Sequence, residues 1–206
     1  MQSRRCTPDG AGNLFIADAN NRRIRKVDTG GTITTVAGNG SLFFCGDGGL
    51  ATNACLRNPF GVAPGSAGSL FIADKGNSRI RKVSNGGTIT TVAGNGVAGF
   101  CGDGGPATSA CLGNATGVAL DGGGNLFIAD LNNQRIRKVD SGGTITTVAG
   151  NGSFNFCGDG GPATSACLRN PTGVTLDGLG NLFIADTNNH RIPKGEQRRN
   201  DHHGGW

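Results

Sequence analysis

Short apolar runs recur along the chain at a fixed interval. The run reads NLFIAD at 13–18, SLFIAD at 69–74, and NLFIAD again at 125–130 and 181–186, so successive copies begin 56 residues apart. Four consecutive apolar positions bounded by polar residues are typical of a strand that is covered on both faces. A fixed period of about this size predicts an array of repeated units.

Each unit contains three further strand patterns. In the third unit, the four predicted strands cover 116–121, 125–130, 135–140 and 144–150. The first alternates between apolar and polar positions, the second is the apolar run, and the third mixes arginine and lysine with apolar residues. The fourth is rich in threonine, as expected of an outer edge exposed to water. Such a unit is typical of a propeller blade, so the sequence predicts an all-β propeller.

A long insert separates the last strand of each unit from the first strand of the next. The three copies occupy 38–58, 94–114 and 150–170. In two of them a proline, Pro106 or Pro162, follows the GDGG sequence and precedes small residues. This order predicts one or two helical turns after a glycine-rich bend.

Both ends of the chain depart from the repeat. RCTPD at 5–9 stands where the third unit has GVALD, so Cys6 takes the place of a valine and interrupts the first strand. At the other end, Pro193 takes the place of an arginine and Gly195 that of a valine. The first and last blades are therefore expected to be incomplete.

These patterns divide the chain into one propeller domain over 1–194 and a tail over 195–206 that is predicted to be disordered. The domain has about four blade units, of which two are complete. The partial first blade covers 5–37, the complete blades cover 61–93 and 117–149, and the partial last blade covers 173–194. Open blade edges of this kind favour self-association.

Composition changes this picture little. Glycine and proline, 39 and 7 of 206 residues, lie at fixed places between apolar runs and predict turns. No apolar run approaches the roughly 18 residues of a membrane span, so none is expected. QSRRC after Met1 shows no apolar stretch, so no signal peptide is expected in this chain.

What the net charge of +5 indicates depends on where the basic residues lie. Twelve of the 19 lysines and arginines fall in the segments RRIRK, SRIRK, QRIRK and HRIPK, and aspartates recur at the end of each apolar run. Opposite charges at fixed repeat positions favour cross-strand pairing. We therefore expect the arginines to pair with the aspartates, namely Arg79 with Asp74, Arg135 with Asp130 and Arg191 with Asp186.

Taken together, these motifs resemble a known family. GNLFIADxxNxRIRKV, followed by TITTVAGNG and GDGGPATSA, resembles the NHL repeats, especially the long-insert repeats of bacterial secreted proteins and of the teneurin NHL propeller. The resemblance covers about 10–194. It implies a propeller, commonly six-bladed, that serves as a binding or scaffold module.

The cysteines carry the clearest chemical signal. Six of the seven form pairs ten residues apart inside the inserts, namely Cys45/Cys55, Cys101/Cys111 and Cys157/Cys167. Both members occur together in every copy, which favours disulfides over free thiols, and no second short pair or nearby histidine supports a metal site. No metal or cofactor is expected. Disulfides imply an oxidising compartment, so the expected location is extracellular or the cell surface.

The insert aspartates, Asp47, Asp103 and Asp159, invite comparison with a calcium loop. Calcium needs several oxygen ligands at close spacing, and each insert has one carboxylate. A tight glycine turn in which the aspartate accepts backbone N–H groups is the favoured interpretation.

Catalysis is not expected. Lactonase and lyase propellers work with His, Glu or a bound metal, whereas the repeats contain no glutamate and only His190. The alternative with more support is a single-stranded RNA-binding NHL propeller. The third strands lack the interleaved aromatic residues that such binding favours, so the sequence argues against nucleic acid.

The leading hypothesis is therefore a non-enzymatic interaction module that binds a protein or a glycan. In a propeller, the inserts and the turns between the second and third strands emerge on one face, and much of the variation among the repeats falls here. Drift in unconstrained loops is the competing explanation of this variation. Candidate contact residues are Phe43, Phe154, Asn155, Asn132, Asn133 and Gln134. The phenylalanine before each first insert cysteine recurs, and packing under its own loop is the competing interpretation.

Overall fold

A computed structural model describes residues 6–195 as four antiparallel sheets, one for each repeat. Blade 1 contains β1 to β4, at Cys6–Pro8, Leu14–Asp18, Arg23–Val27 and Ile33–Ala37. Blade 2 contains β5 to β8, at Pro59–Pro64, Leu70–Asp74, Arg79–Val83 and Ile89–Ala93. Blade 3 contains β9 to β12, at Ala115–Leu120, Leu126–Asp130, Arg135–Val139 and Ile145–Ala149. Blade 4 contains β13 to β15, at Pro171–Leu176, Leu182–Asp186 and Lys194–Gly195.

The strands of each blade lie side by side in chain order, so the all-β propeller and its four blade units are confirmed. The innermost strands pack against one another, β1 on β5, β5 on β9 and β9 on β13. No comparably extensive contact joins β13 to β1 among residues 6–195. The described blades therefore form an open arc.

The predicted interruption of the first strand at Cys6 is wrong, because Cys6, Thr7 and Pro8 all pair with β2. Cys6 pairs with Ile16 in the register that joins Val118 to Ile128 in blade 3. The strand ends at Pro8, the position at which β5, β9 and β13 also end, at Pro64, Leu120 and Leu176.

The last blade loses the middle of its third strand. Pro193 interrupts it, and only Lys194 and Gly195 form a ladder with β14, beside a single bridge between Asp186 and Arg191. The predicted domain boundary at 194 falls inside β15. The predicted tail, apart from Gly195, lies outside the described residues.

Three apolar clusters fill the spaces between neighbouring blades. Side chains alternate along each apolar run, so Leu70 and Ile72 face blade 1 whereas Phe71 and Ala73 face blade 3. Both faces of β6 and β10 are consequently buried, which explains why all four positions of the run are apolar.

The outer faces of the terminal blades are less covered. Leu14 and Ile16 are only half-buried, although their counterparts in blades 2 and 3 are buried. At the other end, Phe183 is half-buried whereas its counterpart Phe127 is fully buried. Each terminal blade therefore has one apolar face without a neighbouring blade among the described residues.

The inserts form single turns of 3-10 helix, at Ala51–Asn53, Ala107–Ser109 and Ala163–Ser165. The prediction of one or two helical turns after the glycine bend agrees with this, although the turn is of the tighter 3-10 type. Further 3-10 turns lie at Ser66–Gly68 and, between the second and third strands, at Lys75–Asn77, Leu131–Asn133 and Thr187–Asn189. No helix in the described part of the chain is long and apolar enough to cross a membrane.

Candidate functional site

Each insert is closed by a disulfide and lies against the outer edge of the blade that follows it. The structure joins Cys45 to Cys55, Cys101 to Cys111 and Cys157 to Cys167, with Cα atoms 4.9, 4.8 and 4.9 Å apart. These are the pairs predicted from the sequence. The remaining cysteine, Cys6, is exposed.

Backbone hydrogen bonds attach the insert to the edge strand of the next blade. The Gly48 N–H donates to the Ile89 carbonyl at 2.8 Å, the Ala51 N–H donates to Gly87 at 2.8 Å, and the Ile89 N–H donates to Gly49 at 3.0 Å. The second insert repeats the same three bonds on β12 at the same distances. The insert thus adds a short outermost edge to the four-stranded blade.

A buried arginine lies beneath this contact between the insert and the blade. The side chain of Arg81 is 0% exposed, its Nη2 lies 2.6 Å from Asp47 Oδ1, and its Nη1 lies 3.5 Å from Asp74 Oδ2. In blade 3, Arg137 has the same two partners at 2.6 and 3.4 Å, Asp103 and Asp130. One guanidinium therefore joins the insert to the end of the apolar run.

This geometry corrects the predicted charge pairs. Asp74 and Arg79 are opposite in register, but the carboxylate pairs with Arg81, two residues further along. Side chains two apart share a face of the strand, and Arg81 is the one that lies between both carboxylates. In blade 4, Arg191 pairs with Asp159 at 3.2 Å rather than with Asp186.

The arginines at the start of the third strands have another role. Arg79 donates from Nη1 to the Asn77 carbonyl at 3.1 Å and from Nη2 to the Asn95 carbonyl at 2.8 Å. Its guanidinium carbon lies 3.8 Å from the ring centre of Phe44, and a Cβ added at Gly96 would come within 2.4 Å of Nη1. The group is thus held between an aromatic ring and a glycine that has no side chain.

The same stacking places the recurring insert phenylalanines. Phe100 lies 3.9 Å from Arg135 and Phe156 lies 3.8 Å from Arg191, measured from ring centre to guanidinium carbon. Arginine stacked on an aromatic face stabilises the contact electrostatically. These residues therefore pack on the arginines of the next blade, rather than under their own loop.

The insert aspartates connect each insert to the blade that follows it. Besides its ion pair, Asp47 accepts the Thr91 N–H at 3.2 Å, and Asp103 accepts the N–H and the hydroxyl of Thr147 at 3.2 and 2.6 Å. The expected hydrogen bond from a backbone N–H to the aspartate is present, but its donor lies in the next blade. The sequence did not predict the ion pair between the aspartate and the arginine. No group of three or more His, Cys, Asp or Glu side chains suited to a metal occurs within residues 6–195.

The aspartate that ends each apolar run is buried. Asp74 accepts the Arg57 N–H at 2.7 Å and the Asn77 amide at 2.8 Å, and Asp130 accepts the equivalent bonds from Gly113 and Asn133. Loss of solvent raises the pKa of both carboxyl groups above the ordinary value, against the opposing effect of these donors and the nearby arginine. Their role is to fix the turn and the entry to the blade.

In the fourth blade, the contact between the insert and the blade is exposed to solvent. Pro193 stands where blades 2 and 3 have the buried arginines Arg81 and Arg137, so Asp159 pairs instead with Arg191 in a largely exposed ion pair. A cleft of about 420 Å³ lies here, lined by Phe156, Asp159, Arg191 and Pro193 among others. The interruption at Pro193 accounts for this opening.

The inserts and the turns between the second and third strands share one face. The Asn133 amide donates to the Gly99 carbonyl at 2.7 Å, and the Arg22 guanidinium donates to the Gly40 carbonyl at 3.0 Å. The structure thus brings the two predicted loop sets together. Opposite them lie the turns that begin at Asp9, Asp121 and Asp177.

The candidate contact residues differ in exposure. Phe43 is 81% exposed and Phe154 is 62% exposed, and Asn155 and Asn132 are also exposed. Asn133 is half-buried and bonded to Asp130 and Gly99. Two further exposed apolar residues of the same loop segments, Leu42 and Val97, were missed, although they stand in the segment that varies between copies.

Gln134 is not available for binding. It is 1% exposed, its Oε1 accepts the Asn170 N–H at 2.6 Å, and its amide donates to the Leu131 carbonyl at 2.8 Å. It also adopts a positive φ of 54° at the end of the turn. Variation among the repeats pointed to this residue, but its side chain bonds the next insert.

A second concave region lies where the innermost strands converge. This cleft of about 850 Å³ is lined by segments of all four strands, 6–10, 61–65, 117–120 and 174–175. Its ionisable residues are Cys6 and Asp9. The hydrogen bond from Asn13 lowers the pKa of Asp9, so this carboxylate is a weak proton acceptor.

Comparison with known proteins gives the family. The sequence profile of the teneurin NHL domain matches residues 40–98 and 96–156, and that of the NHL repeat matches 168–192. The chain belongs to the NHL-repeat family. Its repeats carry the family's blade together with the long insert described above.

Related chains are much longer. This NHL protein is 26% identical to human teneurin-4 over 274 residues, covering 88% of this chain and 10% of teneurin-4. It is 34% identical to protein SUPPRESSOR OF QUENCHING 1, chloroplastic, of Arabidopsis thaliana over 134 residues, covering 61% and 12% of the two chains. The chain thus spans about a tenth of these relatives.

Solved structures share the fold. A protein of unknown function from Bacteroides thetaiotaomicron superposes with a TM-score of 0.72 at 22% identity, covering 92% of this chain and 46% of that chain. Virginiamycin B lyase from Staphylococcus aureus superposes with a TM-score of 0.54 at 14% identity, covering 94% and 55%. At these identities the likeness shows the fold alone.

Proposed function

We propose that this NHL arc is a non-enzymatic interaction module that acts outside the cell or at its surface. The observation that carries the proposal is the exposure of Phe43 and Phe154 on insert loops, which share one face with the turns between the second and third strands. Large aromatic side chains on ordered loops bind with little loss of conformational entropy, and such residues dominate interface energies.

The proposed contact surface, here called the insert face, comprises Leu42, Phe43, Val97, Phe154, Asn155 and Asn132. Its apolar side chains lie among polar amides, which matches an interface of apolar core and polar rim. The occupant is a protein or a glycan. The three disulfides support an oxidising compartment, and hence an extracellular location.

The rival functions have less support from the geometry. The arginines that a nucleic acid would contact already donate to backbone carbonyls and stack on insert phenylalanines, as Arg79 and Arg135 do. In the central cleft, Cys6 and Asp9 do not form an acid–base pair of the kind that a lyase uses. Self-association through the outer faces of blades 1 and 4 is also part of the proposal.

A binding screen tests the insert face. The full chain is applied to arrays of extracellular protein domains and of glycans, and each hit is measured again with Phe43→Ala/Phe154→Ala. We expect affinity to fall by at least about tenfold, since interface aromatics commonly contribute 1.4 kcal/mol or more. Because both residues are exposed, the melting temperature should not change.

Leu179→Ala is the matched control. Leu179 is also highly exposed and apolar, but it lies in a turn on the opposite face. Loss of affinity in this variant with retention in the phenylalanine variant would reverse the assignment. Binding only to single-stranded oligonucleotides, weakening steeply with salt, would favour the RNA alternative.

A further inference from the structure

Blade 1 presents the same receiving surface that blades 2 and 3 use to hold an insert. In blade 2 this surface consists of two arginines, Arg79 and Arg81, and the edge strand with Gly87, Ile89 and Thr91. The corresponding residues of blade 1 are Arg23, Arg25, Gly31, Ile33 and Thr35. Every residue type that contacts an insert in blades 2 and 3 is therefore present in blade 1.

The insert itself is not on blade 1 in the described part of the chain. Ile33 is 51% exposed, whereas Ile89 and Ile145 are 0% exposed beneath their inserts. Arg25 has no ion pair among residues 6–195 and its Nε lies 3.4 Å from the Thr34 carbonyl, whereas Arg81 and Arg137 are buried between two carboxylates. Within residues 6–195, no strand pairs with the outer edge of β4.

The arginine that stacks on the insert phenylalanine is already in position. Arg23 donates to the Asn21 carbonyl at 3.0 Å and to the Asn39 carbonyl at 2.9 Å, as Arg79 does with its own two carbonyls. A Cβ at Gly40 would come within 2.9 Å of Arg23 Nη2, so one face of this guanidinium lies on the glycine backbone. The opposite face, where Phe44 stacks on Arg79, has no aromatic ring on it in residues 6–195.

We propose that the receiving surface of blade 1 binds a disulfide-closed loop of the insert type, which presents Phe-Cys-Gly-Asp from another NHL repeat unit. The phenylalanine stacks on Arg23, the aspartate pairs with Arg25, and the loop backbone bonds the edge at Gly31 and Ile33. Charge complementarity selects this occupant, since the site offers two arginines and the loop offers one carboxylate. Burial of Ile33 adds the apolar contribution.

The experiment uses the full chain and a synthetic peptide of residues 94–114 with Cys101 and Cys111 oxidised. Isothermal titration calorimetry should show one peptide bound per chain, because the receiving surfaces of blades 2 and 3 already hold inserts and blade 4 has Pro193 in place of the buried arginine. Peptides with Asp103→Asn or Phe100→Ala should bind at least about tenfold more weakly, as expected for loss of a charge-assisted bond or a stacked ring.

Variants of the chain locate the site. Arg25→Ala should weaken binding of the unmodified peptide at least about tenfold. The matched control Lys26→Ala, one residue along the same strand, should leave affinity within about twofold. Circular dichroism establishes that each variant is folded, and the peptide variants test the proposal even if Arg25→Ala is not.

Three outcomes would overturn the proposal. The first is no binding of the oxidised peptide, and the second is equal binding by Arg25→Ala. The third is binding that Asp103→Asn leaves unchanged, which would mean that blade 1 accepts apolar surface in general, such as a second copy of the chain.

Discussion

At the scale of single residues, Arg81 and Arg137 are the buried charges that connect each insert to the blade that follows it. Each is fully buried and lies between a carboxylate of the insert and a carboxylate of the apolar run. A buried ion pair need not add stability over apolar side chains, but removal of one partner leaves uncompensated charge in the interior. These arginines therefore make the blade dependent on its insert.

Arg137→Met should destabilise the chain by about 3–5 kcal/mol, since Asp103 and Asp130 would lose their common partner. Lys138→Met, at the next and half-buried position, should change the free energy of unfolding by less than about 0.5 kcal/mol. Urea unfolding followed by circular dichroism measures both. Equal stability of the two variants would contradict the role assigned to the arginine.

The pKa of Asp177, in a turn on the opposite face, is shifted in the opposite direction from the pKa values of the buried Asp74 and Asp130. The hydrogen bond from Asn181 is the main cause of the lowered pKa of Asp177. A carboxyl group with a lowered folded-state pKa contributes stability above its unfolded pKa and loses it as pH falls through the folded value. Asp74 and Asp130, whose pKa is raised, have the opposite sign.

Asn181→Ala should therefore raise the pKa of Asp177 towards that of an unstructured aspartate. Carboxyl-carbon NMR titration of the labelled chain gives this value directly. Asn125→Ala, which removes the same bond in the turn of blade 3, should leave the Asp177 pKa unchanged. An unchanged Asp177 pKa in Asn181→Ala would contradict the hydrogen bond from Asn181 as the cause.

At the scale of elements, the insert acts as an additional edge that joins two blades. It donates and accepts backbone bonds with β8 or β12, and its alanines and leucine complete the apolar clusters between blades. The disulfide closes a loop of ten residues and limits the freedom of the unfolded chain.

Cys101→Ser/Cys111→Ser should lower the free energy of unfolding by about 2–3 kcal/mol, in line with closure of a ten-residue loop. Cys6→Ser is the control and should have no effect, because Cys6 is exposed and unpaired in the structure. Mass spectrometry of unreduced, alkylated chain should find six blocked thiols and one free. Seven alkylated thiols after expression in an oxidising compartment would exclude the bonds.

At the scale of the whole molecule, stability is expected to be uneven along the arc. Blades 2 and 3 have neighbours on both faces, and blades 1 and 4 have one described neighbour each. Elements with fewer buried apolar contacts open locally at lower free energy.

Hydrogen exchange followed by mass spectrometry should therefore show the slowest amide exchange in β6 and β10. Their counterparts β2 and β14, with identical sequences, should exchange at least about tenfold faster, because 1.4 kcal/mol less protection corresponds to that factor. The identical LFIAD sequence in all four strands is the internal control. Equal protection in all four would mean that the terminal blades are covered in solution.

The sequence by itself determined the blade, the repeat and the cysteine pairs, because these depend on period, alternation and spacing within one unit. The four strands of blade 3 lie within one residue of their predicted bounds. The tertiary structure alone decided which arginine meets which aspartate, since Arg79 and Arg81 are of the same type and only the position of the preceding insert distinguishes them. It also decided that Gln134 is buried and that Ile33 of blade 1 is exposed among the described residues, because burial depends on which neighbouring unit is present.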